Sequence, residues 1–241
     1  MSTRQAALRL GLSEATVRRL ADRGALPVKR VGTRKERRFR PEQVDRFAGR
    51  QARRVANETR SPLVVLGGVP VAAPRHLAAF YDTDAARTRM TVPFLGEGLI
   101  AGEPCFLLAQ DDELDDYMES LRKMPGVDVE AALASGQLIV ADAPGTTAQD
   151  GLEYWERNLW SAVDQHAPLI RAVGEMVSER KSFVSEQEML GYEAALNLTI
   201  RRFPCVVICQ YDVRKFSGQA VLAAMHAHPD MLGVPIGALL K

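Results

Sequence analysis

From His76 to His226, short apolar runs alternate with helix-compatible stretches, and this alternation leaves few folds open. The runs are His76–Tyr81, Pro104–Ala109, Leu138–Val140, Leu169–Val173 and Cys205–Tyr211. Between and after them the patterning predicts helices at Asp84–Ile100 (broken or bent near Pro93), Asp112–Lys123, Val129–Ala134, Gly151–Gln165, Glu186–Arg202 and Ser217–His226. Strand–helix alternation implies βαβ crossovers and therefore an α/β fold, a mainly parallel sheet with helices on both faces. Phe106–Ala109 and Val206–Cys209 are apolar throughout and suit buried central strands.

The first sixty residues do not share this pattern or its charge. They carry 17 Lys/Arg against 6 Asp/Glu, a net of +11, while the remainder holds 14 against 24, a net of −10. The overall +1 hides a basic module suited to a polyanion joined to an acidic module that is not. At 241 residues there is room for both. The expected divisions are a basic domain over 1–50, a linker over 51–74 and an acidic α/β domain over 75–241.

Within the basic module, Ser13 is a good N-cap and Val17, Leu20 and Ala21 form an apolar stripe at helical spacing. Gly24 suits a left-handed C-cap. An earlier helix, capped by Ser2 or Thr3, runs to about Leu10, and Gly11-Leu12 makes the turn between them. Two short helices joined this tightly predict a helix-turn-helix. Val28, Val31 and Phe39 flank a basic, Gly-containing tip that suits a hairpin wing, and Pro41 opens another helix at its favoured first position. Together, "QAALRLGLSEATVRRLADRGALPVKRVGTRKERRF" and "PEQVDRF" resemble the winged helix-turn-helix of excisionase and MerR-type regulators.

These residue types predict two kinds of DNA contact. Ser13, Ala15, Thr16 and Arg19 are expected to face DNA, the last three at base edges in the major groove, where arginine pairs bidentately with guanine. Arg18, Lys29, Arg30, Arg34, Lys35, Arg37 and Arg38 are read as phosphate contacts, which position without reading sequence. The alternative for Arg18 and Arg23 is pairing with Glu14 or Asp22. So small a module covers one half-site, so tight binding to double-stranded DNA predicts a homodimer on an inverted repeat. Leu63–Leu66 is a candidate edge strand inside an otherwise Val-, Gly-, Ala- and Pro-rich linker.

The acidic module also resembles a known family. "FYDTDAARTRMTVPFLGEGLIAGEPCFLLA", "GQLIVAD", "IRAVGEM", "GYEAALN" and "CQYDVRKFSG…HP" occur in the order of the MEDS sensory domain of methanogen, methylotroph and DcmR-like transcriptional regulators. The resemblance implies a RecA/KaiC-like fold and a small organic or halogenated hydrocarbon ligand. One element of such ATPases is missing. Phosphate loops need clustered glycines and a lysine, whereas the turn after the first strand reads Tyr81-Asp82-Thr83-Asp84-Ala85-Ala86-Arg87. "LIRAVGEM" also lacks a terminal Asp for magnesium. The expectation is a ligand-sensing regulator without enzymatic activity or cofactor. The alternatives are a nucleotide-binding or enzymatic switch targeted to DNA, or a protein-interaction module.

Ligand candidates are Tyr81, Asp82, Arg171, Glu175, Glu193, Asn197, Tyr211 and Asp212, at predicted strand ends or on the helix beside them. Pairing of Arg171 with Glu175 or Glu193 as a structural ion pair stays open. Trp155, Trp160 and Met176 line either a pocket or the core. No metal is expected: His226 and His228 read as a helix end, and Cys205 and Cys209, four apart on a strand, are separated by ~13 Å. Three cysteines in apolar surroundings make a disulfide framework implausible. No apolar run approaches the ~18 residues of a membrane span, and the N-terminus lacks the layout of a signal peptide. A cytoplasmic location is expected.

Overall fold

The computed structural model describes residues 1–22, 25–33, 35–48, 61–66, 68–228 and 230–232. The basic module opens with α1 (Thr3–Leu10), where Ser2 Oγ accepts from Gln5 N–H and the Gln5 side chain reciprocates at the Ser2 amide. Gly11 (φ 60°) ends α1 in the left-handed conformation that glycine adopts without a Cβ penalty. Ser13 Oγ then accepts from Thr16 N–H and starts α2 (Glu14–Asp22). The expected C-cap Gly24 and its neighbour Arg23 lie outside the described residues. The wing pairs β1 (Lys29–Val31) antiparallel with β2 (Glu36–Arg38), and α3 covers residues 41–48. Ala6, Ala7, Leu10, Leu12, Val17, Ala21, Leu26, Phe39, Val44 and Phe47 form a separate core, with Leu20 at its edge.

Leu63–Leu66 (β3) does not join the main sheet. It forms its own hairpin with β4 (Val69–Ala72). Alternation explains the placement: Val64 and Leu66 are buried against the sensory core while Leu63 and Val65 face solvent.

The acidic module is the expected α/β unit. Its strands are β5 (Arg75–Tyr81), β6 (Cys105–Leu108), β7 (Leu138–Ala141), β8 (Ile170–Glu175), β9 (Cys205–Asp212) and β10 (Asp230–Met231). They lie in the order β10-β5-β9-β8-β6-β7, and every neighbouring pair is parallel. The helices are α4 (Asp84–Ile100), α5 (Asp111–Arg122), α6 (Val129–Ser135), α7 (Ala148–Asp164), α8 (Met176–Ser182), α9 (Glu186–Ile200) and α10 (Gly218–Ala227). Of the two outcomes expected at Pro93, a break does not occur: α4 runs through it as one helix, since a single proline removes one backbone bond and Phe94, Leu95 and Leu99 still anchor the second half. The short α8 and β10 escaped the sequence pattern.

Residue parity sorts the two faces. His76, Ala78 and Phe80 of β5, with Val207, Cys209 and Tyr211 of β9, point to α7, α9 and α10. Leu77 and Ala79, with Val206 and Ile208, point to α4, α5 and α6. Trp155 and Met176 belong to the first core and Trp160 is half exposed, so packing accounts for the first two.

Candidate nucleic-acid interface and sensory sites

The wing and the outer face of α2 make one basic surface. Ala15, Arg18, Arg19, Lys29, Arg30, Lys35 and Arg38 are exposed on it; Arg34 lies outside the described residues. Arg18 takes the pairing alternative with Glu14, at 2.5 Å, yet stays exposed. Arg37 is half-buried and donates to both carboxylate oxygens of Asp22, at 2.8 and 2.9 Å, tying the wing to α2. That hydrogen bond holds Asp22 below the usual carboxylate range.

Ser13 and Thr16 do not face outward. Both are buried against Glu156 of α7: Thr16 Oγ1 donates to Oε2 at 2.9 Å and the Ser13 amide donates to the same oxygen at 3.3 Å. Arg19 in turn donates to Thr16 Oγ1 at 2.8 Å, so a chain of hydrogen bonds links an exposed arginine to a carboxylate of the sensory domain. Arg202 donates to the other oxygen of Glu156 at 3.2 Å. Beside this contact, Thr199 Oγ1 of α9 donates to the Gly11 carbonyl. A Cβ at Gly11 would stand 2.2 Å from the Ala195 carbonyl oxygen, so the α1–α2 turn seats on α9 only because it is glycine. The sequence offers no signal for this contact, since its residues lie 140 or more positions apart.

The eight ligand candidates fall into separate places. Tyr81 and Glu175 meet at the carboxyl ends of the strands on the α4–α5 face, Tyr81 OH donating to Glu175 Oε1 at 2.9 Å. Tyr117 of α5 donates to Oε2 at 3.4 Å and also bonds Gln210. Arg87 is buried over the Tyr117 ring, with Nε and Nη1 lacking hydrogen-bond partners among the described residues. Burial drives the Glu175 carboxyl up to about 7, against the opposing pull of the Tyr81 hydroxyl and Arg87. Asp212 is held by Arg214, which also reaches Asp84, and Asp82 is exposed.

Arg171 lies at the other end of the sheet. Its register partners are Cys105 and Val206, at the strand starts, and it pairs with Glu103 at 2.6 Å and donates to the Phe94 carbonyl at 2.7 Å. Gly98 makes room for it; a Cβ there would approach the arginine Cδ to 2.6 Å. The ion pair is structural, with Glu103 in place of either expected partner. Glu193, Asn197 and Tyr211 occupy the α9–α10 face. There His76 Nδ1 lies 2.7 Å from Asn197 Oδ1, and Glu193 is fully buried beside His76, Cys209 and His228. Tyr211 packs on Phe80 and Phe216, its hydroxyl without a hydrogen-bond partner among the described residues.

A cavity of about 750 Å³ opens between the β3–β4 hairpin, α4 and β10. Leu66, Val71, Leu77, Met90, Phe94 and Leu232 supply an apolar wall, with Arg89 and Glu97 among the polar lining. The linker pattern gives no reason to expect it, because it predicts a lone edge strand at Leu63–Leu66 where a hairpin forms one wall.

Comparison with known proteins matches these two halves separately. Residues 75–229 match the MEDS family, described as the methanogen/methylotroph, DcmR sensory domain, and residues 1–52 match a helix-turn-helix family. The transcriptional repressor DcmR of Methylorubrum extorquens (strain DM4) is 35% identical over 251 residues, spanning 98% of this chain and 92% of that protein. A KaiC-like protein from Pyrococcus horikoshii OT3 shares the fold, with a TM-score of 0.51 at 15% identity over 69% of this chain and 73% of that one. No helix among the described residues is long and apolar enough to cross a membrane. The chain belongs to the MEDS family, as a DcmR-like regulator in which a helix-turn-helix domain precedes the sensory domain.

Proposed function

We propose that this protein is a one-component transcriptional repressor that binds operator DNA as a homodimer on an inverted repeat and responds to a small organic ligand. The observation that carries the reading is the seating of α2 on the sensory domain. Glu156 and Thr199 grip the α1–α2 turn from behind, while Ala15, Arg18, Arg19 and the wing stay open on the other side. The sensory domain thus sets the orientation of the reading helix without covering it. In a dimer, that orientation fixes the spacing of two half-sites, which must match the helical repeat of the operator.

The ligand takes the apolar cavity under the β3–β4 hairpin. Its volume suits a small organic molecule, and the Glu175 group is already filled by its own hydrogen bonds. Bound there, a ligand moves the DNA equilibrium only as far as it favours one arrangement of the two domains over the other. The acidic turn Asp82-Thr83-Asp84 supports a role without ATP hydrolysis, since Thr83 caps α4 where a phosphate loop would present amides, and Asp84 adds a negative charge to the first turn.

The test is fluorescence anisotropy of the full-length protein on DNA from upstream of its own coding sequence. Six exposed basic side chains per subunit predict an affinity for a single half-site that falls about 10³-fold between 50 and 200 mM salt, and a steeper fall for the dimer on both half-sites. Equal binding to a shuffled sequence would overturn the operator reading. A Leu66→Trp variant that fills the cavity, yet keeps both DNA binding and the response to a ligand found by thermal shift, would overturn the ligand site.

A further inference from the structure

We infer that His76, Glu193, Cys209 and His228 form a binding site for one divalent transition-metal ion, with zinc as the expected occupant. The four side chains come from β5, α9, β9 and the residue after α10, and all are buried. His76 Nε2 stands 3.1 Å from Cys209 Sγ and 3.3 Å from Glu193 Oε2, and His228 Nε2 stands 3.0 Å from the same Oε2. No two of the four donor atoms are more than 4.8 Å apart. Tetrahedral zinc with bonds of 2.0–2.3 Å separates its ligand atoms by about 3.3–3.8 Å, so a small rearrangement that opens the nearest pairs and closes the widest completes the shell.

The hydrogen-bond pattern explains why protein groups alone leave the cluster unsatisfied. Asn197 Nδ2 donates to the Ala227 carbonyl, which turns its Oδ1 toward His76. An oxygen there accepts only, so His76 Nδ1 carries the proton. His228 Nδ1 faces the Ala224 carbonyl at 2.8 Å and is likewise the donor. A metal takes the neutral imidazole, and in that form both rings, with Nδ1 as the donor, aim Nε2 lone pairs inward at a carboxylate that also accepts. Neither Glu193 oxygen, nor His228 Nε2, has a hydrogen-bond partner among the described residues. Buried acceptors without a donor are costly, and a cation satisfies all of them at once.

The outer contacts are those of a metal site. Each ligating histidine donates its other ring N–H to an oxygen, which fixes tautomer and orientation. Imidazole with thiolate selects a borderline or soft ion over magnesium or calcium. A surface indentation of about 60 Å³, lined among others by Arg75, Asn197 and Asp230, reaches His76 from outside.

Cobalt is the probe, because its absorption reports both geometry and thiolate ligation. Metal-stripped full-length protein titrated with Co²⁺ should bind one ion per chain, with tetrahedral d–d bands and a thiolate-to-cobalt charge-transfer band, and Zn²⁺ should displace it. Cys209→Ser should lose the charge-transfer band, whereas Cys205→Ser, which removes a buried thiol outside the cluster, should keep it. Asn197→Ala should weaken binding about 10–100-fold. Wild-type protein that shows no charge-transfer band, or a folded Cys209→Ser protein that retains it, would overturn the site. The wild-type spectrum decides the matter even where a variant fails to fold.

Discussion

Two glutamates, Glu175 and Glu193, are completely buried on opposite faces of one sheet, and they are met by opposite chemistry. On the α4–α5 face, Glu175 receives hydroxyl donors from Tyr81 and Tyr117. On the α9–α10 face, Glu193 meets two imidazole nitrogens and a thiol, with no donor in hydrogen-bonding geometry to its oxygens among the described residues. A carboxyl group surrounded by donors is stable with protons alone. One surrounded by acceptors asks for a cation. The faces differ in position as well as chemistry, because α9 carries Glu193 and Asn197 toward the sheet and Thr199 toward the α1–α2 turn.

The largest effect that separates the faces is metal-dependent stability. Zinc at a thousand times its dissociation constant adds about 4 kcal/mol to the folded state, roughly 8–16 °C in Tm for a chain of this size. His228→Gln should lose that increment and Glu175→Gln should keep it, measured by calorimetry with and without chelator. Equal loss in both would erase the distinction.

Acid–base behaviour should single out the other face. The Glu175 carboxyl, ordinarily near 4.5, is driven up to about 7 by burial, so its neutral form is the one the fold favours. The stability it contributes is whole below about pH 4.5 and is lost as pH rises through about 7, a change of about 3 kcal/mol. Arg87, Tyr81, Tyr117, the buried Glu179 and, more weakly, Glu113 are charged and titratable groups facing it. Urea unfolding at pH 5 and pH 8 should show this slope in the wild type and a flatter one in Glu175→Gln; identical slopes would contradict the assignment.

Smaller changes test the donors and the domain contact. Tyr81→Phe removes one hydroxyl donor and should cost about 2 kcal/mol at pH 8, when the carboxylate is charged. Glu156→Gln should cost only about 1 kcal/mol in stability. Its effect on DNA should appear as lost cooperativity between two half-sites with single half-site affinity retained, read by anisotropy on full and half operators. A uniform loss on both would mean that Glu156 acts on the reading surface itself.

Much of the fold was legible because local rules agreed with it. Alternation of apolar runs with helical stretches locates five of the six strands of the main sheet, and Ser2, Gly11 and Ser13 mark the helix-turn-helix by their cap chemistry. The sites were legible only in part, because they depend on register and on contacts between distant segments. The neighbourhood of Arg171 in the sequence suggests a crevice residue, but it is the second residue of β8 and so lies at the opposite end from Glu175. Cys205 and Cys209 were weighed against each other, while the partners of Cys209 were His76, Glu193 and His228, drawn from three other segments. His228 was read as a helix end and is one. Its Nδ1 caps the last turn of α10 at Ala224, and the same bond aims Nε2 at Glu193. Following strand parity would have put His76 and Cys209 on one face; nothing in the spacing brings in His228.

The central claim is that the basic face of α2 and the wing reads an operator while the sensory domain holds it from behind. The most direct measurement is the affinity of the full-length protein for its own upstream DNA across a salt series, with wild type and Arg19→Ala compared on matched and shuffled sequences. The prediction is a steep salt dependence, a preference for the matched sequence, and a loss of about 10–100-fold in Arg19→Ala on that sequence only. Salt-insensitive binding, or an Arg19→Ala loss that is equal on both sequences, would contradict it.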